Sequence, residues 1–240
     1  MTNIFGLHNQ PYAQQLNCRD DDIFLATYPR SGTTWTQNIL IGMVYGIHTL
    51  KEETFKLYQV FPHVEFRNSS VDYDGIAVAN DSSMKPRLLK THLPTKLAPK
   101  EIFAKKLKTI LVVRNPKAAA LSYFQFAGSN DALEQIGAGA TELTGFLEKY
   151  LEGSIPHGSW WEWNKCWIAN SKEHPDSHLI IHYEDVIDRF EETVRRIEKF
   201  LDLQAMSDDD VTNLKSLTSL NSVKDRMENN RPIVKERPFN

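Results

Sequence analysis

Two cysteines in 240 residues, Cys18 and Cys166, are too few to build a disulfide framework and stand at no metal-ligand spacing. Reduced structural thiols in a cytoplasmic protein are therefore expected. No stretch approaches the ~20 consecutive apolar residues of a membrane span. The opening "MTNIFGLHNQPY" has no basic start leading into an apolar run, so no secretory leader is expected. Neither sign of charge dominates. A formal net charge of -3 gives no general pull toward nucleic acid or acidic membranes, so any anion site must be local. Internal repeats and low-complexity linkers are missing as well, which excludes solenoid and tethered architectures.

What is present is ordinary for a globular protein: 41% hydrophobic, 25% charged and 10% aromatic residues, enough for one sizeable core. We expect residues 1–240 to form a single domain. Short apolar runs alternate with longer amphipathic ones. Strands are predicted at 23–28, 87–91, 109–113 and 179–183, and helices at 34–45, 117–127, 141–151, 159–171 and 187–201. Strands apolar on both faces and separated by helices indicate an α/β fold, with a central parallel sheet covered on both sides. The polar, aperiodic stretch from about Glu65 to Lys85 reads as loop, and so does 130–140 with its small residues.

In open parallel sheets ligands collect at the carboxyl ends of strands, where helix N-termini present free N–H groups. The segment "YPRSGTTW" (28–35) has that position. Gly32 allows close backbone approach, Ser31, Thr33 and Thr34 supply hydroxyls, and Arg30 adds a fixed cation. Ser and Thr are also ordinary helix caps, but four small polar residues plus Arg exceed what a cap needs. An ATP-binding loop would carry Gly at position 27 and Lys at position 33, and both are Thr.

A second anion site is suggested by "TILVVRNPKAAALSYF". The strand ends at Val113, Arg114 follows, and Asn115 and Pro116 suit the cap and first position of a helix that carries Ser122. Taken alone, Arg114 also fits a surface salt bridge. A cation here, where many ATPases place a magnesium-holding acid, favours a phosphate that meets the protein directly. Two such sites suit a nucleotide with two separate phosphate groups, such as adenosine 3′-phosphate 5′-phosphosulfate (PAPS).

These residues resemble the cytosolic sulfotransferase family. "YPRSGTTW" is similar to its 5′-phosphosulfate loop, with Arg30 where the family usually has Lys, and "VVRNPKAAALSY" to its 3′-phosphate motif. "PRLLKTHLP" (86–94), "HGSWWEWNKCW" and "LIIHYEDV" match further landmarks in order. The resemblance implies a single-domain, three-layer α/β/α fold related to P-loop NTPases, with PAPS as co-substrate and no metal. Arg30, Ser31, Gly32, Thr33 and Thr34 would then bind the 5′ end, and Arg114 and Ser122 the 3′-phosphate. Trp35, Tyr183 and Thr218 would lie at the adenine. Lys90 and His92 would flank the transferred sulfuryl group. His92 suits a general base, because imidazole titrates near neutrality and an acceptor hydroxyl must lose its proton. Lys90 and Arg30 would stabilise negative charge developing on oxygen.

Other conspicuous residues have plainer expected roles. Trp160, Trp163 and Trp167 recur at helical spacing and suit core packing. Glu184 and Asp185 suit capping or salt bridging, and His174, His178 and His182 are too loosely arranged for zinc. The chain departs from the family pattern in two places. Its segment "ENNRPIVKERPFN" does not carry the family's usual Arg-Lys-Gly closure over the 3′-phosphate, so either that closure lies outside these residues or Arg231, Lys235 and Arg237 supply the cations in a shorter one. His63 and His157 stand where the family often has aromatic residues, beside Tyr123, Phe124 and Phe126 as candidate acceptor lining, which suggests a more polar acceptor. The expected activity is sulfuryl transfer from PAPS to a hydroxyl or amine of a small molecule. A PAPS-binding protein without catalysis and a P-loop small-molecule kinase are the alternatives.

Overall fold

The computed structural model describes residues 10–52, 56–68, 72–128 and 140–229. Its four main strands are β1 (Ile23–Thr27), β2 (Leu88–Thr91), β3 (Lys108–Val113) and β4 (His178–His182). They form one fully parallel sheet in the order β2-β1-β3-β4. The chain leaves β1 toward β2, then returns across it to β3, so the topological switch point lies at the carboxyl ends of β1 and β3.

Alternation along the strands explains why helices cover both faces. Phe24, Ala26, Leu89, Leu111 and Val113 enter one core with Ala119, Ala120 and Tyr123 of α2 (Pro116–Gly128). The same core takes Phe146 and Tyr150 of α3 (Leu143–Glu152) and Trp160, Trp163 and Trp167 of α4 (Trp160–Glu173). Ile23, Leu25, Leu88, Ile110 and Val112 face the opposite way, onto Ile39, Leu40 and Ile41 of α1 (Thr33–Val44). There they meet Val194 and Ile197 of α5 (Phe190–Leu201) and Leu214 of α6 (Asp208–Leu217). Each fully buried aliphatic or aromatic side chain contributes about 1.5–3 kcal/mol, so the three layers hold together without cross-links. Cys18 and Cys166 are both free thiols.

One ion pair joins the sheet to its surroundings at the end away from the loops. Arg87, just before β2, donates from Nε to Asp22 Oδ1 at 2.7 Å and from Nη2 to Asp22 Oδ2. Its remaining donors reach Ala79 O and Asn17 O, both at 3.0 Å. Asp22 and Arg87 are 1% and 2% exposed, so each depends on the other for its charge to be tolerated.

Three expectations need correction. The stretch 65–85 is not all loop. Arg67–Asn68 pairs with Tyr73–Asp74, and a helix runs over Gly75–Asp81, capped by Asp74, whose side chain accepts from the Ala77 N–H. The helix is short and is fixed by burying Ile76 and Ala79, so periodicity alone does not reveal it. The expected helix at 187–201 is two helices, Tyr183–Asp188 and Phe190–Leu201, broken at Arg189 (φ -133°, ψ 51°). That break buries Phe190 and leaves Ile187 half exposed. Helices α6 and α7 (Leu220–Asn229) were not foreseen, since their sequences are polar with few apolar anchors. Most of the segment 130–140, and Arg231, Lys235 and Arg237, lie outside the described residues.

Candidate active site

The loop after β1 ends at Gly32, whose left-handed φ of 94° turns the chain into α1. A side chain at this position would collide with Tyr183, whose Cδ2 would lie 2.4 Å from the added Cβ. Only glycine therefore lets the loop pass beneath that ring. Trp35, one turn into α1, meets Tyr183 edge to face with ring centroids 5.3 Å apart. Ser31 Oγ, Trp35 Nε1 and Arg114 Nε are all buried without a hydrogen-bond partner. Buried polar atoms are normally satisfied, so three orphans around one loop suit a polar ligand. Thr33 is buried and Thr34 half-buried in the first turn of the helix.

The two positions that depart from an ATP-binding loop are joined to each other. Thr27 Oγ1 and Thr33 Oγ1 are 2.7 Å apart, and Thr27 Oγ1 lies 3.1 Å from His92 Nδ1. The Thr27 carbonyl oxygen is closer still, 2.8 Å from the same Nδ1. A carbonyl only accepts, so Nδ1 carries the proton and Nε2 is left with its lone pair. From the other side, Trp163 Nε1 donates to His92 O at 2.7 Å and Trp167 Nε1 to Leu93 O at 3.0 Å. The tryptophans pack in the core as expected, and they also hold the strand end that carries His92.

His92 belongs to a cluster that the sequence showed only in part. The His63 ring lies 4.8 Å and the His157 ring 5.8 Å from it, both edge-on. Glu65, in the stretch read as loop, is 2% exposed. It accepts from the His92 backbone N–H, and its Oε1 lies 2.7 Å from His63 Nε2. An acid two residues after His63 in the mainly apolar "VFPHVEF" is the one signal that could have flagged it. Burial works against the Glu65 carboxylate, yet His63 and the His92 N–H outweigh it and hold its pKa below the usual range. Burial, then the neighbouring His63, Lys90 and His157, push His92 well below an ordinary imidazole, so it is neutral at pH 7. His157 is lowered to about 4, chiefly by burial. Burial also lowers Lys90 to about 8, with Glu65 opposing the shift. A pocket of about 270 Å³ opens here, between the imidazoles of His92 and His157 and the apolar Leu93, Pro94, Leu97 and Ile155.

Several expected site residues occupy other places. Arg30 Nε donates to Ser122 Oγ at 3.2 Å, and its guanidinium lies 4.7 Å over the Phe126 ring. This puts the side chain on the α2 side of the loop rather than beside His92. Phe126 consequently packs on Arg30 and is not among the residues that line the pocket. Tyr123 is 1% exposed and stands behind His157, donating to Pro156 O at 3.1 Å. Thr218 is fully buried, with its hydroxyl on Leu214 O at 2.8 Å, so it offers no surface to a ligand. Glu184 accepts from the Asn115 N–H at 3.0 Å, and Asp185 pairs with Arg189, the capping and salt-bridge roles expected of them. Among the described residues no group of three or more His, Cys, Asp or Glu could hold a metal ion.

A loop with unsatisfied polar atoms at the switch point of a parallel sheet, with a lone-pair imidazole just past the adjacent strand, is an arrangement suited to group transfer from an anionic donor. The chain belongs to the sulfotransferase family, since the family model described as "Sulfotransferase domain" matches residues 20–239. It is 30% identical over 218 residues to dog (Canis lupus familiaris) sulfotransferase 1B1, covering 91% of this chain and 71% of that protein. It is 33% identical over 184 residues to rabbit (Oryctolagus cuniculus) amine sulfotransferase, covering 77% of this chain and 57% of that protein. The crystal structure of mouse sulfotransferase SULT7A1 complexed with PAP superposes with a TM-score of 0.71 at 24% identity, over 92% of this chain and 72% of that one. The shared architecture is the sulfotransferase form of the three-layer α/β fold. Among the described residues no helix is long and apolar enough to cross a membrane.

Proposed function

We propose that the protein transfers the sulfuryl group of PAPS to a hydroxyl or amine of a small-molecule acceptor, with His92 as general base. The observation that carries this reading is the bond from His92 Nδ1 to the Thr27 carbonyl, which leaves Nε2 free to accept a proton beside the pocket. The donor suits the residues present. Ser31 Oγ and the amides of the first turn of α1 would hold its 5′ end, and Arg114 with Ser122 its 3′-phosphate. The Trp35–Tyr183 pair would offer aromatic faces to its base. When bound, PAPS supplies the sulfuryl group and leaves as adenosine 3′,5′-bisphosphate.

The chain's own contribution is then a proton acceptor and a cation. His92 Nε2 removes the acceptor proton, and because the imidazole is neutral at pH 7 no prior deprotonation is needed. Lys90 supplies positive charge in a buried site, where it acts more strongly than in water. At about 270 Å³ the pocket is slightly below the usual range for drug-sized ligands, which supports a compact acceptor with an apolar body.

The pH dependence follows from these two groups. His92 is active unprotonated, so kcat/KM is expected to fall only well below pH 6.5. Lys90 is active protonated, so kcat/KM is expected to fall again as pH rises through about 8 in the free enzyme. Lys90→Arg should move this upper limb out of the accessible range, and a wild-type profile flat to pH 10 would remove Lys90 from the assignment. The function itself is tested by incubation with PAPS and a panel of phenols, alcohols and primary amines, with adenosine 3′,5′-bisphosphate measured as product. Nucleotide binding without transfer to any acceptor would contradict it.

A further inference from the structure

Arg30 and Arg114 are brought together on one flank of the loop, away from Lys90 and His92. Arg114 Nη1 donates to Arg30 O at 2.7 Å, so the second arginine is tied to the backbone of the first. Arg30 has a left-handed φ of 67°, and its side chain is held by Ser122 and Phe126 of α2. Arg114 lies 4.4 Å over the Tyr183 ring. Burial and the neighbouring Arg114 both lower the pKa of Arg30. Among the described residues no carboxylate forms an ion pair with either arginine, and Arg114 Nε is buried without a partner. Two adjoining guanidiniums with no acid between them, and an alcohol at the same place, form a fork suited to a phosphate.

The sheet decides which phosphate. Lys90 lies on β2 and His92 just past it, on one side of β1, whereas Arg114 follows β3 and Ser122 lies on α2, on the other. The transferring group must lie on the β2 side, so the anion on the β3 side is the one remote from transfer. We propose that Arg30 is a second cation for the 3′-phosphate of the donor, acting with Arg114 and Ser122, and that Lys90 is left as the cation at the transferring group. This rests on PAPS being the donor, and it moves Arg30 from the catalytic role expected from the sequence to a binding role.

The test measures nucleotide affinity by calorimetry, without turnover. Adenosine 3′,5′-bisphosphate and adenosine 5′-monophosphate are each titrated into wild type, Arg30→Ala and Arg30→Lys, with thermal melts checking that all three are folded. Wild type should prefer the bisphosphate. Arg30→Ala should weaken the bisphosphate by about tenfold to a hundredfold, the value of a charge-assisted contact, and leave the monophosphate almost unchanged. Arg30→Lys should recover part of the loss, since a point charge replaces a fork. Equal loss for both nucleotides would put Arg30 at the 5′ end and overturn the proposal, as would no loss for either. A wild type that does not distinguish the two nucleotides would instead overturn the PAPS reading, and the proposal with it.

Discussion

Replacing His92 with alanine is expected to lower kcat by about 10²–10⁴-fold, the usual contribution of a positioned general base. Affinity for adenosine 3′,5′-bisphosphate should hardly change. The imidazole is hydrogen-bonded to the loop after β1 through Thr27, and Thr27 keeps its bond to Thr33 when the ring is gone. The backbone at position 92 also stays in place, because its N–H is held by Glu65 and its carbonyl by Trp163. Stopped assays with saturating donor separate the two quantities. A variant with unchanged kcat and a raised acceptor KM would make His92 a binding residue. One that loses nucleotide affinity in parallel would place the ring at the donor.

The chemistry around His92 was legible to different depths. Strands apolar on both faces announced the sheet, and the loops that follow β1 and β3 were marked by Gly32, Arg114 and Pro116 within a few residues of each strand end. Lys90 and His92 could be named through the resemblance of "PRLLKTHLP" to the family's catalytic strand. Glu65 could not, because it reaches His92 across a gap of 27 residues through an irregular segment with no period of its own. Arg30 has its side chain toward α2, a direction its sequence position does not disclose. Its sequence position fixes the backbone, but the side chain follows Ser122 and Phe126, which a different helix provides. Tyr123 and Phe126 are not among the residues lining the pocket for a related reason, since helical spacing does not say which turn of α2 faces it. Thr218 shows a further limit, because a hydroxyl one residue past a helix end is as easily consumed by its own carbonyls.

The largest effect on stability is expected at Asp22. Asp22→Ala leaves the Arg87 guanidinium buried with carbonyl partners only, and breaking one side of such a pair costs about 3–5 kcal/mol. In a chain of this size the melting temperature should fall by roughly 6–20 °C, at about 2–4 °C for each kcal/mol. Nucleotide binding at low temperature should survive, since the pair lies at the amino ends of β1 and β2, opposite the loops. Combining Asp22→Leu with Arg87→Met removes both charges and should recover part of the lost stability. If Asp22→Ala melts with wild type, the pair is not what holds these strand ends.

The ladder joining β2, β1 and β3 has one more effect. Its register sets Ala26 opposite Thr91 and Thr27 opposite Val112, which places His92, just past β2, level with Thr27, and Arg114, just past β3, two residues farther along on the other side of β1. Two strand spacings, roughly 9.5 Å, and about 6.6 Å along the strands then separate the backbone at His92 from that at Arg114. The backbone hydrogen bonds of the sheet thus act as a ruler that fixes the offset between these two residues, and under the proposed function they would grade a donor by the span between its two charged groups. A one-residue slip in either flanking strand would turn its terminal side chain to the opposite face and leave the ruler with a single mark.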